Sequence, residues 1–447
     1  MKLGLLAMSG VRAHDPELTA LGLTLPGFVE RKRVVASLPS LGLLTLAGLT
    51  PARLDVRYLD VPELRPRPWI PEEFDVVAIS SFSAQIREAY ELADRYRAAG
   101  TRVVLGGLHV TAVPGEAIAH ADAIVIGEGE PVWAQAVADL EANRLQRVYD
   151  ARGRRFDLAD APMPRFELLD VSRYNRLTVQ TQRGCPHDCE FCAASIRLAP
   201  GFKVKPVDKV IDEIRCIKSI WRQPFVEFAD DNTFVNRPHA RALMRRLADE
   251  HVRWFTETDL SVADDRDLLA LMRDSGCAQV LIGFEAATRA PLAGVERRAD
   301  WKARRFDRYR EAIDRIQSAG ITVNGCFVLG LDGSGPEVFE DVYDFVVTSG
   351  LYEVQITVLT PFPGTPLHAR LLHEGRLLQP DAWELCTLFD LNFIPARMSV
   401  TELRAGFVEL SRRLYDGAAV RARRRAFHQR MRVARARAKQ PSALPAA

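Results

Sequence analysis

Cys185, Cys189 and Cys192 fall within eight residues, in the segment Arg183-Gly-Cys-Pro-His-Asp-Cys-Glu-Phe-Cys192, at a C-x3-C-x2-C spacing. Three thiolates so placed can hold three irons of a [4Fe-4S] cluster and leave the fourth iron open, whereas an all-protein structural zinc site takes four ligands. A zinc site would have to borrow His187 or the distant Cys216. His187 lies inside the Cys185–Cys189 loop, where its reach to the same metal is awkward. Pro186, His187, Asp188 and Glu190 make the loop polar, which argues against a buried set of inert thiols. Cysteines 216, 277, 326 and 386 stand in apolar contexts, where Cys behaves as a small hydrophobe. Acidic groups recur in two further places: Phe228-Ala-Asp-Asp-Asn-Thr-Phe234, with Asp230 and Asp231, and Gly283-Phe-Glu-Ala286, whose Glu285 lies in an apolar run and needs a partner. The Asp-rich segment also reads as a helix cap, since Asp and Asn favour that position.

These groups need elements to position them. Apolar, β-branched runs at Val56–Leu59, Val76–Ser80, Val103–Gly106 and Ala123–Ile126 read as buried strands. Between them, 84–99 has helical spacing of Ile86, Ala89, Leu92, Ala93 and Tyr96 and stops at Gly100, and 131–141 behaves similarly. The alternation predicts an α/β fold with a doubly wound parallel sheet, which binds ligands at strand carboxyl ends. There the sequence has small polar turns: Ser80-Ser81-Phe82-Ser83, Gly106-Gly107 and Gly127-Glu128-Gly129-Glu130. Residues 145–175 are charged and irregular, as a linker would be. From Thr178 to Thr360 six strand candidates, LTVQTQ, FVEFAD, RWFTETD, QVLIGFEA, TVNGCFVLG and EVQITVLT, alternate with helical segments at 207–221, 238–250, 264–275 and 304–319. Six βα repeats without a dinucleotide fingerprint predict a partial (β/α)6 barrel with its active site at the strand carboxyl ends. The cysteine segment follows directly on the first of those strands.

With 47% hydrophobic and 26% charged residues over 447 positions, the composition excludes disorder, collagen and coiled coil. The odd count of seven cysteines and the absence of a secretory layout argue against a disulfide framework and for a cytoplasmic protein. No run approaches the roughly 18 apolar residues of a membrane helix. The net charge of +2 hides an asymmetry: residues 421–439 carry eight Arg and Lys439 with no acid, so the remainder is acidic. Such a tail reads first as a solvated or self-docking helix, and second as an anion-binding arm.

The cysteine spacing, with aromatic Phe191 before the last cysteine, resembles the radical S-adenosylmethionine enzymes. The resemblance implies that the open iron chelates the methionyl amine and carboxylate of S-adenosylmethionine, and that one electron from the cluster cleaves the sulfonium C–S bond to a 5′-deoxyadenosyl radical. It implies Phe191, Asp230 and Asp231 around the methionyl end, and Glu285 toward the ribose hydroxyls. Phe327-Val-Leu-Gly330 and Leu359-Thr-Pro-Phe-Pro-Gly-Thr-Pro366 correspond to later strands and turns of that family.

Gly106-Gly-Leu-His-Val-Thr111, Pro114, Asp122 and Ile126-Gly-Glu-Gly-Glu130 resemble the cobalamin-binding domain that precedes the radical domain in one subclass, which includes the hopanoid C-3 methylases. This implies a cobalamin site drawn from Ser80, Ser81, Gly106, Gly107, His109, Gly127, Glu128 and Gly129. No Asp-x-His-x-x-Gly sequence occurs, so cobalamin is expected base-off without a histidine ligand. The implied division is 1–145 for a Rossmann-like cobalamin domain, 146–175 for a linker, 176–370 for the barrel and 371–447 for a helical segment with the basic tail. The implied activity is methyl transfer to an unactivated carbon of a lipid or specialised metabolite, served by an external one-electron donor such as flavodoxin or ferredoxin. Nucleic acid is not an expected partner. Two rivals stand beside it: radical cyclisation, rearrangement or oxidation in a chain whose N-terminal domain no longer binds cobalamin, and a zinc-binding module that docks nucleic acid.

Overall fold

The chain is known here as a computed structural model, which describes residues 1–20, 38–66, 69–193 and 201–439, with 434–439 by backbone alone. Two parallel six-stranded sheets carry it. The first comprises β1 (Lys2–Met8), β2 (Asp55–Asp60), β3 (Val76–Ser81), β4 (Arg102–Gly106), β5 (Ala123–Ile126) and β6 (Val148–Asp150), in the order β2-β1-β3-β4-β5-β6. The order reverses between β1 and β3, and a doubly wound sheet opens a crevice at that point.

Strand inner residues alternate between two cores, as a sheet covered on both faces requires. Leu3, Leu5, Val76, Ala78 and Val104 meet helices Leu41–Leu49 and Glu130–Glu141, in a core continuous with that of the second sheet. Leu6, Val77, Ile79, Val103 and Leu105 meet helix Ile86–Ala98, whose Ile86, Ala89, Tyr90, Leu92, Ala93 and Tyr96 are all buried. Each leucine, isoleucine or valine among them contributes about 1.5–3 kcal/mol on burial.

Two strands of the first sheet were not expected from the sequence. Lys2–Met8 became the central β1, and Val148–Asp150, within the expected linker, hydrogen-bonds β5 and completes the first sheet. The second is three residues long among charged neighbours, so the pairing edge rather than local pattern makes it a strand.

The second sheet runs β7 (Leu177–Val179), β10 (Phe225–Phe228), β11 (Arg253–Thr258), β12 (Cys277–Glu285), β13 (Thr322–Leu329) and β14 (Glu353–Val358), each beside its predecessor. This is the open, sequential curl of a partial barrel. The expected first strand LTVQTQ is interrupted after Val179. Its last residue belongs to the short ribbon β8 (Gln182–Arg183), antiparallel to β9 (Lys203–Val204).

Helix Val400–Tyr415 starts in a capping box between Ser399 and Glu402. In the basic helix Gly417–Lys439, Arg423 is buried and donates to the Leu414 carbonyl of the preceding helix, and Arg430 pairs with Asp314 of the barrel at 3.0 Å. The rest of the expected C-terminal segment, 440–447, lies outside the described residues. No described helix is long and apolar enough to cross a membrane.

Candidate active site at the carboxyl ends of the two sheets

The break after β7 exists because the chain is turned there by a carboxylate. Asp230, just past β10, accepts hydrogen bonds from the Thr181 and Gln182 amides at 2.8 and 3.1 Å and from the Thr181 and Thr233 hydroxyls at 2.5 and 3.0 Å. Burial pushes this carboxyl up to about 6 against the pull of those four donors. Its acceptor capacity is thus committed to aiming the cysteine loop. Asp231 is placed differently: it accepts from the Gly184 amide at 3.2 Å and faces the large cavity described below. Gly184 has φ +99°, and a Cβ there would stand 2.1 Å from the Gly201 carbonyl, so only glycine fits the turn into Cys185.

The loop is clasped from the other side by residues 295–301. Cys189 forms a β-bridge with Glu296, the Glu190 amide donates to the Val295 carbonyl at 2.9 Å, and the Arg297 amide donates to the Asp188 carbonyl at 3.0 Å. The Glu296 carboxylate accepts from the amides of Asp188, Arg298, Ala299 and Trp301, which hold it down to about 2 in spite of its burial. Arg370 grips Glu190 through two bonds of 2.5 and 3.0 Å. His187 is engaged elsewhere, 3.3 Å from Asp259 and tilted against Trp301 at 4.6 Å between ring centres. Phe191 is half-buried against the core.

Burial pushes the Cys185 thiol up to about 11 and Cys189 to about 12; Cys192 raises both further, and Cys185 also raises Cys189. Three thiols that repel one another when ionised are held as thiolates by a strongly cationic centre. Among the described residues no three His, Cys, Asp or Glu side chains converge tightly enough to hold a single metal ion. Three thiolates can hold three irons of a [4Fe-4S] cluster and leave the fourth iron open, whereas a structural zinc site takes four ligands.

Glu285 sits at the end of β12 with φ +64°, beside a register shift against β13, and is almost fully buried. Its partner is Lys302, with Nζ 2.7 Å from the carboxylate and 2.8 Å from the Gly283 carbonyl. Burial works against the lysine charge, but Glu285 outweighs it and holds Lys302 well above the ordinary lysine range.

Farther along the barrel wall, the Glu257 side chain is exposed, with the carboxylates of Glu227, Asp231 and Glu285 around it. Burial, then the charges of Glu227, Asp231 and Glu285, push its carboxyl up to about 8 from an ordinary 4.5. The folded chain therefore holds a proton that the unfolded chain has lost, so stability should decline as pH rises from about 4.5 to about 8 and level off above. Glu257→Gln should remove that segment of the stability–pH curve and be the more stable protein at pH 8, as urea midpoints would read.

The reversal point of the first sheet opens into a cavity of about 460 Å³. Met8 and Ser9 line it after β1, Ser80, Ser81 and Phe82 after β3, Gly106 and Gly107 after β4, and Gly127, Glu128 and Gly129 after β5. Its far wall belongs to the barrel, through Gln180, Arg183 and Asp231. Seven of the eight residues assigned to cobalamin from the sequence thus share one cavity. His109 does not line it: its ring is fully buried between Tyr90 and Trp383. The cavity and the cysteine loop are joined by charge. Arg183 pairs with Glu128 at 2.5 Å and with Glu130 at 2.7 Å, and Lys203 also reaches Glu128.

Sequence reading missed the apolar helix Leu41–Leu49, whose Leu41, Leu43 and Leu46 wall the cavity, and it missed Lys302, Glu257 and Arg183. Arg183 could have been found, since it stands two residues before the cluster segment's first cysteine. Lys302 carried no signal, because its partner lies seventeen residues away. Cys326, read as an inert core residue, lies beside Glu257 and Glu285.

Residues 31–137 match the B12 binding domain, 179–346 the Radical SAM superfamily and 365–446 the Domain of unknown function (DUF4070). Among curated relatives, bacteriochlorophyllide d C-12(1)-methyltransferase of Chlorobaculum tepidum is 28% identical over 393 residues, covering 86% of this chain and 84% of that protein. Hopanoid C-2 methylase of Rhodopseudomonas palustris is 28% identical over 361 residues, covering 78% and 67%. Among solved structures, the radical S-adenosylmethionine methyltransferase TsrM from Kitasatospora setae, with cobalamin and a [4Fe-4S] cluster bound, superposes with a TM-score of 0.65 over 97% of this chain and 99% of that one, at 16% identity. That likeness concerns the fold.

Proposed function

We propose, from the premise that this chain is a radical S-adenosylmethionine protein with a B12-binding domain, that it transfers a methyl group to an unactivated carbon of a lipid or specialised metabolite. The single observation that supports this most is the shared wall. The cavity at the sheet reversal and the cysteine loop meet at Asp231 and Arg183, so a group in one faces a group in the other. The curated relatives named as tetrapyrrole and hopanoid methylating enzymes support an extended, largely apolar acceptor.

In this reading Cys185, Cys189 and Cys192 hold the cluster, and Glu285, paired with Lys302, receives the ribose hydroxyls of S-adenosylmethionine. Asp231 accepts from the methionyl ammonium, while Asp230 positions the loop. Ser80, Ser81, Gly106, Gly107, Gly127, Glu128 and Gly129 would hold a corrinoid. When bound, the cluster with S-adenosylmethionine supplies a carbon-centred radical that removes hydrogen from the acceptor, and the corrinoid supplies the methyl group. The chain's own task is to orient these groups and exclude water from them. The interlocked clasp of 295–301, the β8–β9 ribbon and Arg370 serves that end.

Gly107 tests the cradle. Its φ is +103°, and a Cβ would come within 2.9 Å of the Ser80 hydroxyl. Gly107→Val adds about 1–3 kcal/mol of backbone strain and fills the cavity wall. The expected result is protein that takes up iron normally after anaerobic reconstitution but binds hydroxocobalamin at least about tenfold more weakly. Unchanged cobalt uptake would remove the cavity from the account.

A further inference from the structure

We propose that the amino end of the barrel, opposite the cysteine loop, holds a second binding site, for a soluble phosphate monoester. The site is a cavity of about 760 Å³. Its wall is made where the barrel strands begin: Asn175 stands just before β7, Phe225 and Arg253 open β10 and β11, Gln279 lies near the start of β12, and Glu353 opens β14. Methyl transfer is served at the carboxyl ends of the strands, so nothing in it occupies this end. The interior of a βα barrel is ordinarily a packed core, and its amino face ordinarily contributes stability alone. Here that face is open and cationic.

Four basic side chains, Lys218, Arg222, Arg253 and Arg424, stand on this wall with His251, against one carboxylate, that of Glu353. Two of the four are spent. Lys218 donates to the Glu250 carbonyl and carboxylate at 2.8 and 3.0 Å, and that carboxylate also takes Arg215 at 2.8 Å. Arg424 stands 3.8 Å from Glu353 and over the Tyr352 ring. Arg222 and Arg253 are exposed, and their side chains make no ion pair or hydrogen bond among the described residues. Strand pairing brings the two together: Arg253 lies opposite Phe225, which follows Arg222 by three residues on the neighbouring strand. Two unspent guanidinium forks on one wall match a dianion, and a phosphate monoester is close to dianionic at pH 8. A single carboxylate or a nucleic-acid phosphodiester carries one charge and would leave one arginine unmatched.

The same wall also calls for a hydrogen-bond donor. The Gln279 side chain is buried, and its carboxamide oxygen accepts no hydrogen bond among the described residues. A buried acceptor left open costs stability, and a hydroxyl that reaches it recovers that cost. A sugar phosphate brings hydroxyls with its dianion, whereas sulfate, of the same charge, brings none. The size suits such a ligand, since small-molecule sites run from about 300 to 1,000 Å³.

The test is calorimetric titration of the full-length, anaerobically reconstituted protein at pH 8 with ribose 5-phosphate and with sulfate, beside thermal midpoints. Ribose 5-phosphate should bind once per chain and raise the midpoint, with sulfate at least about tenfold weaker. Arg222→Ala/Arg253→Ala should weaken the sugar phosphate at least about tenfold. It should keep the wild-type iron content and the ligand-free midpoint, because both side chains are exposed and lie at the far end of the barrel from the cysteines. Gln279→Met should narrow the gap between the two ligands and leave sulfate unchanged. No heat from ribose 5-phosphate at about 1 mM, or undiminished binding by the double-alanine protein, would overturn the proposal. Equal affinity for sulfate and the sugar phosphate would mean an adventitious anion only, and a ligand-free midpoint lowered by the alanines would make the arginines structural; either result overturns it. So would binding to phosphatidic acid vesicles without binding of the soluble ester, which would give the arginines to a lipid headgroup.

Discussion

Cys189→Ala protein, purified and reconstituted without oxygen, is expected to fall from about four irons per chain to near none and to cleave no S-adenosylmethionine. The same holds for Cys185→Ala and Cys192→Ala, because three thiolates are the minimum that fixes such a cluster while leaving one iron open. No described cysteine stands by as a substitute: Cys216 lies on a helix, Cys277 and Cys386 are buried elsewhere, and Cys326 sits in the barrel beside Glu257. Circular dichroism and urea midpoints should stay close to those of the apo wild-type protein, since the loop is clasped by backbone bonds from Glu190, Cys192 and Arg297 that the substitutions leave intact. Iron and sulfide content equal to wild type in any one of the three would remove that cysteine from the ligand set.

The second large effect falls on a pair that the sequence did not reveal. Lys302→Met should destabilise the protein by about 3–5 kcal/mol, because it leaves the Glu285 carboxylate buried and unpaired. The double variant Glu285→Gln/Lys302→Met should recover much of that loss, since two neutral side chains of similar size need no counter-charge. It should not recover S-adenosylmethionine binding, measured by calorimetry on the reconstituted protein, because the ribose hydroxyls lose their carboxylate. Recovery of both stability and affinity would make the pair purely structural.

The contrast between these two predictions shows what the sequence could and could not disclose. The cysteine spacing is local, so its chemistry is visible in eight consecutive letters. The strands were legible for the same reason: runs such as Val76–Ser81 and Thr322–Leu329 are apolar enough to identify themselves. Val148–Asp150 was not legible, because a three-residue edge strand is made by its neighbour β5 and not by its own composition. Asp230 and Asp231 were adjacent and equivalent on paper, and only the folded turn separates a carboxylate saturated by Thr181, Gln182 and Thr233 from one that faces the cavity. His109, attractive beside its two glycines, begins a short helix whose geometry sends the ring into the second core, against Tyr90 and Trp383. Partners far apart in sequence, such as Glu257 with Glu227 and Asp231, exist only once the barrel curls. The basic C-terminal run, ambiguous as a string of arginines, resolves into a helix that spends Arg423 on the helix before it and Arg430 on Asp314 of the barrel.

The most direct test of the account is elemental and spectroscopic: iron, cobalt and zinc content of the full-length protein purified without oxygen after growth with hydroxocobalamin, read beside its visible spectrum. The account predicts about four irons and about one cobalt per chain, with a base-off corrinoid spectrum and no stoichiometric zinc. Iron without cobalt would contradict the methyl-transfer reading while sparing the radical chemistry, and zinc in place of both metals would contradict the account as a whole.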